Sequence, residues 1–307
     1  MVRPDELGAP ELRSWEEIQA SDPAYASPVF SPQFTLAAGA ALDNVFVGVI
    51  DDGFFPFQRT ANGEAAPGRF RMADYEGVVA GSHAEWSAAD LLRGCGLSAW
   101  EFESLIVANR PFHIYHRETY GSPVLDLGGG FDAYRAKLRG RTLKHLESQR
   151  RALERDHGPL RFELHNPSAQ AWAWWKQQKT ARYLRAGFPV AFEKPWVNAM
   201  LDRIDGTLSL LYAGDRMVAA HLGLRSATVW HYWFPAYDRS FARYSPGTLL
   251  LLEMARAAPG LGVRYIDLGR GDEDYKTRFA TARVPIARGA IRVGTTACAT
   301  TCAQTNP

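Results

Sequence analysis

Thr207-Leu-Ser-Leu-Leu-Tyr-Ala213, Met217-Val-Ala-Ala-His-Leu-Gly-Leu-Arg225 and Val229-Trp-His-Tyr-Trp-Phe234 read as three consecutive strands, the first two joined at Gly214-Asp215. Strands turn successive side chains to opposite faces, so a period of two is the signature of a sheet, here a three-stranded meander. Downstream the pattern alternates. A helix is expected over 246–258, followed by Gly260 and Gly262, then a buried strand (Tyr265-Ile-Asp-Leu268), a glycine-bearing loop, a helix over 274–280 and a last strand over 286–293. Upstream the sequence is helical. Tyr134, Leu138, Thr142, Leu146 and Leu153 fall on one face, with Asp132 as candidate N-cap and a kink expected at Gly140. Ser168 is placed to cap a helix holding Trp172, Trp175, Ala181 and Tyr183, stopped by Gly187, and Pro195 starts a short helix through Ile204. Helices, meander, helix, strand, helix and strand make a mixed α/β lobe.

The first lobe has the same mixed character. Val45-Phe-Val-Gly-Val-Ile50 and Phe54-Phe-Pro-Phe-Gln58 flank an Asp51-Asp-Gly53 turn, a helix follows Ser87 and ends at Gly94, and 100–107 and 112–116 read as strands. Gly128-Gly129-Gly130 is the strongest break in the chain. The expected division is therefore 1–130, 131–294 and a tail, 295–307.

Bulk properties bound the function. The chain has 307 residues, 46% hydrophobic and 12% aromatic, which suits well-filled globular cores. A net charge of +2 excludes the whole chain as an electrostatic nucleic-acid binder, and no specific DNA binding is expected. Cys95, Cys298 and Cys302 are too few for a disulfide framework, and no histidine stands at metal-ligand spacing from them, so no metal is expected. The N-terminus lacks an apolar secretory core, and the cytoplasm is the expected location.

Four groups of residues could carry chemistry. Tyr244-Ser245-Pro246-Gly247-Thr248 lies between a strand and an apolar helix; backbone N–H groups freed at such a helix start suit a phosphate or an oxyanion, though the same residues also make an ordinary cap. Asp267-Leu-Gly-Arg-Gly-Asp-Glu-Asp-Tyr-Lys276 runs from a strand end through a glycine loop into a helix, where ligands of α/β folds gather. There Tyr275 and Lys276 are candidate acids or electrostatic stabilisers, with Asp267, Gly269, Arg270 and Asp272 toward the substrate; the alternative is a solvated polar loop. In the meander His221 could serve as a base or merely be a bonded core histidine. His231 and Tyr232 alternate faces, with Tyr232 a candidate for substrate binding, and Asp238 occupies a position that suits a site or a turn. Finally, 135–151 holds seven Lys/Arg and the single acid Glu147, a basic helix that could meet an anionic or lipid-linked substrate or simply be solvated. Of Trp172, Trp174 and Trp175, at least one must be core.

Taken in order, "VAAHLGLR", "WHYWFPAYD", "SPGTLLLLEMARAAPGLG" and "YIDLGRGDEDYKTRFA" resemble the CelD-like (cellulose-biosynthesis) acetyltransferases of the GNAT superfamily, over about 138–280. "DDGFFPFQ" and "ADYEGVVA" fit the N-terminal portion of the same proteins, which are also similar to Fem-type peptidyltransferases. The resemblance implies two GNAT-like lobes, each a mixed, mostly antiparallel sheet flanked by helices, with a site between them. It further implies acetyl-CoA (acyl-CoA) as co-substrate, a small-molecule or glycan acceptor, and Lys276 as the residue assisting the tetrahedral intermediate. The glycine-rich pyrophosphate loop of ordinary members is absent, and Ser245-Pro246-Gly247 stands in its place. No glutamate base has an evident counterpart, the corresponding strand offering His221. The expected function is acyl transfer to an amine or hydroxyl of a sugar or a polysaccharide or cell-envelope precursor. Ser245, Pro246, Gly247 and Thr248 are assigned to the donor, His221 or Asp238 to the base, and Tyr275 with Lys276 to acid or stabiliser. The alternatives are an aminoacyl-tRNA-dependent transferase of the Fem type and a non-catalytic binding fold.

Overall fold

The computed structural model describes residues 1–66 and 72–294; the tail 295–307, with Cys298 and Cys302, lies outside the described residues. Two helices open the chain, α1 (Ala9–Ser21) and α2 (Pro32–Ala41), the second capped by Ser31, whose hydroxyl accepts from the Phe34 N–H. The hairpin forms as expected from β1 (Val45–Ile50) and β2 (Gly53–Gln58), joined by β3 (Val79–Ala80) in a small sheet. Helix α3 (Ala88–Gly94) starts under the Ser87 cap.

β4 (Ala99–Ile106) leads into a 3-10 turn, Arg110–Tyr115, and then β5 (His116–Asp126). The strand expected over 112–116 is therefore a turn: Pro111 fixes its φ near a helical value, and the following strand lies further along. Past the glycines come α4 (Gly130–Lys137) and α5 (Gly140–His157). Asp132 is not the N-cap; it lies inside the first turn of α4, whose cap is Gly129. The expected kink is a full break at Leu138 and Arg139. β6 (Leu160–Glu163), α6 (Ala169–Arg185) capped by Ser168, and α7 (Pro195–Leu201) precede the meander. The meander is β7 (Thr207–Ala213), β8 (Arg216–Arg225) and β9 (Val229–Tyr237). Then follow α8 (Pro246–Ala257), β10 (Tyr265–Asp267), α9 (Asp274–Phe279) and β11 (Ala282–Arg292).

Eight strands form one sheet in the order β4-β11-β5-β10-β9-β8-β7-β6. The last strand pairs antiparallel with both β4 and β5, and β10 bridges β5 (antiparallel) to β9 (parallel). Strands from both sides of the 128–130 break thus share one ladder. The large sheet carries a core on each face. Trp175, Leu208, Leu210, Leu222 and Trp233 pack with α1 and α2 residues such as Trp15 and Phe34; Leu146, Leu153, Trp230, Tyr232, Leu250 and Met254 pack on the other side. A third core joins the small sheet and α3 to β4 and β11 through Phe55, Leu92, Trp100 and Ile291. Of the clustered tryptophans, Trp175 is fully buried, while Trp172 and Trp174 pack at its edge. No described helix is long and apolar enough to cross a membrane.

Candidate functional site

The sheet is interrupted at one point. β10 pairs with β9 only at Val229, Trp230 and His231, so the rest of β9, to Tyr237, loses its neighbour on that edge. At the same place the β8–β9 register shifts: Leu222 pairs with Phe234 but Leu224 with His231, so β9 carries one extra residue. A bulge of this kind bends its strand and leaves a backbone group outside the ladder. His221 fills that need, its Nε2 accepting the Trp233 N–H at 3.1 Å. Gly223 is required opposite, because a Cβ there would meet the His221 ring at 2.1 Å. Burial first, then the charges of His231 and Lys179, hold His221 well below the usual histidine range. It is a neutral acceptor plugging the bulge, and its basic nitrogen is already spent.

The head of α8 faces this gap. Ser245 adopts φ 54° and ψ 47°, the left-handed region that costs an L-residue about 1–3 kcal/mol. Its side chain caps nothing, while its carbonyl accepts from the Thr248 and Leu249 N–H groups. The neighbouring Gly247 does not need to be glycine for packing, since a Cβ would meet only the Tyr237 ring at an ordinary 3.5 Å. Tyr232 donates its hydroxyl to the Gly247 carbonyl (3.4 Å), and the Tyr275 ring lies 6.4 Å from that of Tyr232. Burial raises both phenols. Tyr232 thus links the head of α8, at Gly247, to Tyr275 of α9.

On the His231 side the segment ahead of β3 enters the site. Asp74 places Oδ2 2.9 Å from His231 Nε2, and Asp267, at the end of β10, lies 3.5 Å from Nδ1. His231 is fully buried and the Asp267 side chain 3% exposed, whereas Asp74 is 28% exposed. Burial alone would push the imidazole down; the carboxylates of Asp267 and Asp74 outweigh it and raise His231 to about 10. Burial would likewise raise Asp74, but His231, with Lys276 and Arg270 behind it, holds the carboxyl below its usual range. The Asp74 carboxylate leaves no room for a side chain at Gly269, where a Cβ would stand 2.5 Å from Oδ2. Tyr75 lies against the same cluster, its ring 6.5 Å from His231 and its hydroxyl raised by burial and by Asp267. Trp233 fastens this segment here by donating its indole N–H to the Met72 carbonyl at 2.7 Å.

The remaining candidates divide by what they touch. The Lys276 ammonium is only 7% exposed and reaches the Gly269 carbonyl (3.3 Å), the Arg270 carbonyl (2.5 Å) and Glu273 (3.1 Å), which uses its three N–H groups. It braces the glycine loop. Arg270 pairs with Glu103 of β4 at 2.6 Å, Asp272 is exposed, and Asp267 also accepts the Gly269 N–H. Asp238 caps the 3-10 turn after β9 by accepting from the N–H and hydroxyl of Ser240. In the basic segment Arg135 pairs with Glu147 and Arg150 with Glu154 and Glu253, while Arg139, Arg141, Lys144 and Arg151 are exposed.

Two residues escaped sequence reasoning. Asp74 lies 157 residues from His231; it falls in the ADYEGVVA stretch that carries the resemblance, but no period or spacing there marks it as a site residue. Lys179 sits mid-helix in α6, one turn after Trp175. Trp175 donates to the Phe234 carbonyl (2.9 Å) and Lys179 to that of Pro235 (3.2 Å), covering β9 beyond the point where β10 leaves. The Lys179 ammonium also lies over the Phe234 ring at 5.1 Å. Burial, then nearby Arg182, lowers it to about 7. Its partners Phe234 and Pro235 lie on β9, so only the fold brings them to it.

Residues 140–277 match the acetyltransferase (GNAT) domain family. No protein of curated function matches the chain in sequence. In structure it is similar to the C-terminal domain of a putative lysylphosphatidylglycerol synthetase from Agrobacterium fabrum (14% identity, TM-score 0.60, 93% of each chain covered). It is also similar to a conserved protein of unknown function from Bacteroides thetaiotaomicron (11% identity, TM-score 0.62, 92% of this chain and 97% of that one). FemX aligns at 10% identity and TM-score 0.59, over 91% of this chain and 94% of that one. The chain thus has a GNAT-type acyltransferase fold, with its large sheet flanked by helices.

Proposed function

We propose that the protein transfers an acyl group from acetyl-CoA or another acyl-CoA to an amine or hydroxyl of a small-molecule or glycan acceptor, of the polysaccharide or cell-envelope class implied by the CelD-like resemblance. The observation that carries this reading is Ser245. Ser245 closes the 3-10 turn Arg239–Tyr244 in the left-handed region, its N–H bonded to the Ala242 carbonyl, and opens a twelve-residue helix with its side chain capping nothing. It exposes the Gly247 N–H at the positive end of the α8 dipole, where donor phosphates bind favourably.

The reaction needs a proton acceptor beside the acceptor nucleophile. His221 has spent its basic nitrogen, and His231 is already protonated at neutral pH. Asp267 is out of solvent reach. Asp74 is ionised, partly exposed and held in place by the His231 imidazolium, so it orients the acceptor by accepting its N–H or O–H hydrogen bond and passes the proton released on bond formation to solvent. As the carbon–sulfur bond breaks, Tyr275, whose ring lies 6.4 Å from that of Tyr232 beside the head of α8, supplies a proton to the leaving thiolate. Thiol release from acetyl-CoA, measured over a panel of amino sugars and glycan fragments, should fall on the order of a hundredfold in Asp74→Asn. Turnover equal to wild type would remove Asp74 from the chemistry.

A second donor is supported by the exposed Arg139, Arg141, Lys144 and Arg151 and by the likeness to FemX: an aminoacyl-tRNA, as in Fem-type transferases. A tRNA gel shift that weakens steeply with salt would favour it over acyl-CoA. The absence of any shift at low salt would exclude it.

A further inference from the structure

Three helices enclose a cavity of about 300 Å3 on the flank of α8, away from the Asp74–His231 seam. Phe131 of α4, Leu249 and Leu252 of α8 and two leucines of α5 make its apolar wall. Each helix also contributes one arginine, Arg135 from α4, Arg150 from α5 and Arg256 from α8, and the carboxylates of Asp132 and Glu147 complete the lining. The guanidinium groups are held by carboxylates: Arg135 by Glu147 at 2.9 Å, Arg150 by Glu253 at 2.8 Å and Glu154 at 3.3 Å, and Arg256 by the same Glu253 at 3.6 Å while lying over the Phe131 ring. These contacts use only part of the five N–H donors that each guanidinium carries. Three pre-oriented forks remain beside an apolar wall, an arrangement that matches a phosphate attached to a short hydrocarbon.

We propose that this cavity is a binding site for a small anionic amphiphile, an alkyl phosphate whose head engages Arg135, Arg150 and Arg256 and whose chain lies against Phe131, Leu249 and Leu252. The site does not depend on the acyl-transfer reading. It does touch the same helix, since Leu249 follows Thr248 directly and a ligand here presses on the helix that presents Ser245. The chain takes the place of water over the leucines, and the head exchanges exposed guanidinium hydration for bidentate bonds.

The test is calorimetric titration of the full chain with octyl phosphate, inorganic phosphate and octanol. Octyl phosphate should bind in the micromolar range, with inorganic phosphate and octanol each at least tenfold weaker. Arg256→Glu, a change on an exposed side chain that leaves the core intact, should weaken octyl phosphate at least tenfold. Leu252→Trp, which fills the cavity, should do the same. Co-sedimentation with phosphatidate vesicles that needs Arg256 would identify a membrane lipid as the source of the head group; octyl phosphate binding without vesicle binding would identify a free amphiphile, and either leaves the site standing. No octyl phosphate binding, equal binding of inorganic phosphate, or affinity unchanged in both variants would overturn it.

Discussion

His231 and Lys179 are two buried bases held against the same strand, and they titrate in opposite directions. His231 has a carboxylate on each side, one from β10 and one from the segment ahead of β3, and is raised to about 10. Lys179 has a backbone carbonyl and two aromatic rings for company and falls to about 7. Burial works against the charged form in both, so the partners decide the outcome. The difference separates the roles of the two regions. The seam around His231 is a charge lock that joins Asp74, ahead of β3, to β9 and β10, and Asp74 is its one partly exposed carboxylate. The α6 side of β9 is a hydrogen-bonded cover for a strand edge that has lost its neighbour.

The largest expected effect is at the lock. His231→Leu leaves Asp267 buried without its cation, and removing one member of a buried ion pair costs about 3–5 kcal/mol. Chemical denaturation should show that loss; a change under 1 kcal/mol would mean that the seam carries no charge. Lys179→Met should act in the other sense, raising stability at pH 7 by about 1–3 kcal/mol as the desolvation penalty of the amine is removed against the loss of one hydrogen bond. A destabilised variant would show that the carbonyl bond outweighs burial.

The pH dependence sharpens the same contrast. The folded value of His231 lies above its unfolded one, so its contribution is full below about 6.5 and is lost as pH rises toward 10. The folded value of Lys179 lies below its unfolded one, so its penalty is absent above about 10.5, grows as pH falls and is complete below about 7. Between pH 7 and 10 the two slopes oppose each other in the wild type. Thermal melts of Lys179→Met across this window should therefore lose stability with rising pH more steeply than the wild type. Parallel profiles would contradict the opposed shifts. The smallest effect concerns the donor helix: Ser245→Gly should gain up to about 1 kcal/mol by relieving the left-handed strain, measured by the same melts.

How far the sequence could be read follows from where each signal resides. The meander, α8, β10 and α9 were legible because period-two runs, a Pro-started helix and glycine breaks are local. Ser168 and Ser87 likewise announced their caps. Helix α2, PQFTLAAGAA, is apolar nearly all round and offers no stripe, and α1 buries only Trp15 and Ile18. β5 was hidden by charged residues along its exposed half and by Gly121 and Pro123; its place between β10 and β11 is a matter of topology that no window contains. At the site, the Ser245 turn and the Asp267 loop stood out through glycine and proline. His221 was read as either base or core residue, and its bond to the Trp233 N–H gives it the second role, a choice that rests on a register shift invisible in one strand. Asp74 acquires meaning only when the fold brings it to His231.

Acetyl-CoA binding by calorimetry, compared between the wild type and Gly247→Val, tests the central claim most directly. A Cβ at this position meets nothing closer than the Tyr237 ring at 3.5 Å, so the fold should persist, as an unchanged melting temperature would show, while the approach to the head of α8 is blocked. Micromolar binding by the wild type, weakened at least tenfold in the folded variant, is the predicted result. No binding by the wild type, or equal affinity in the two proteins, would contradict an acyl-CoA donor site at Ser245.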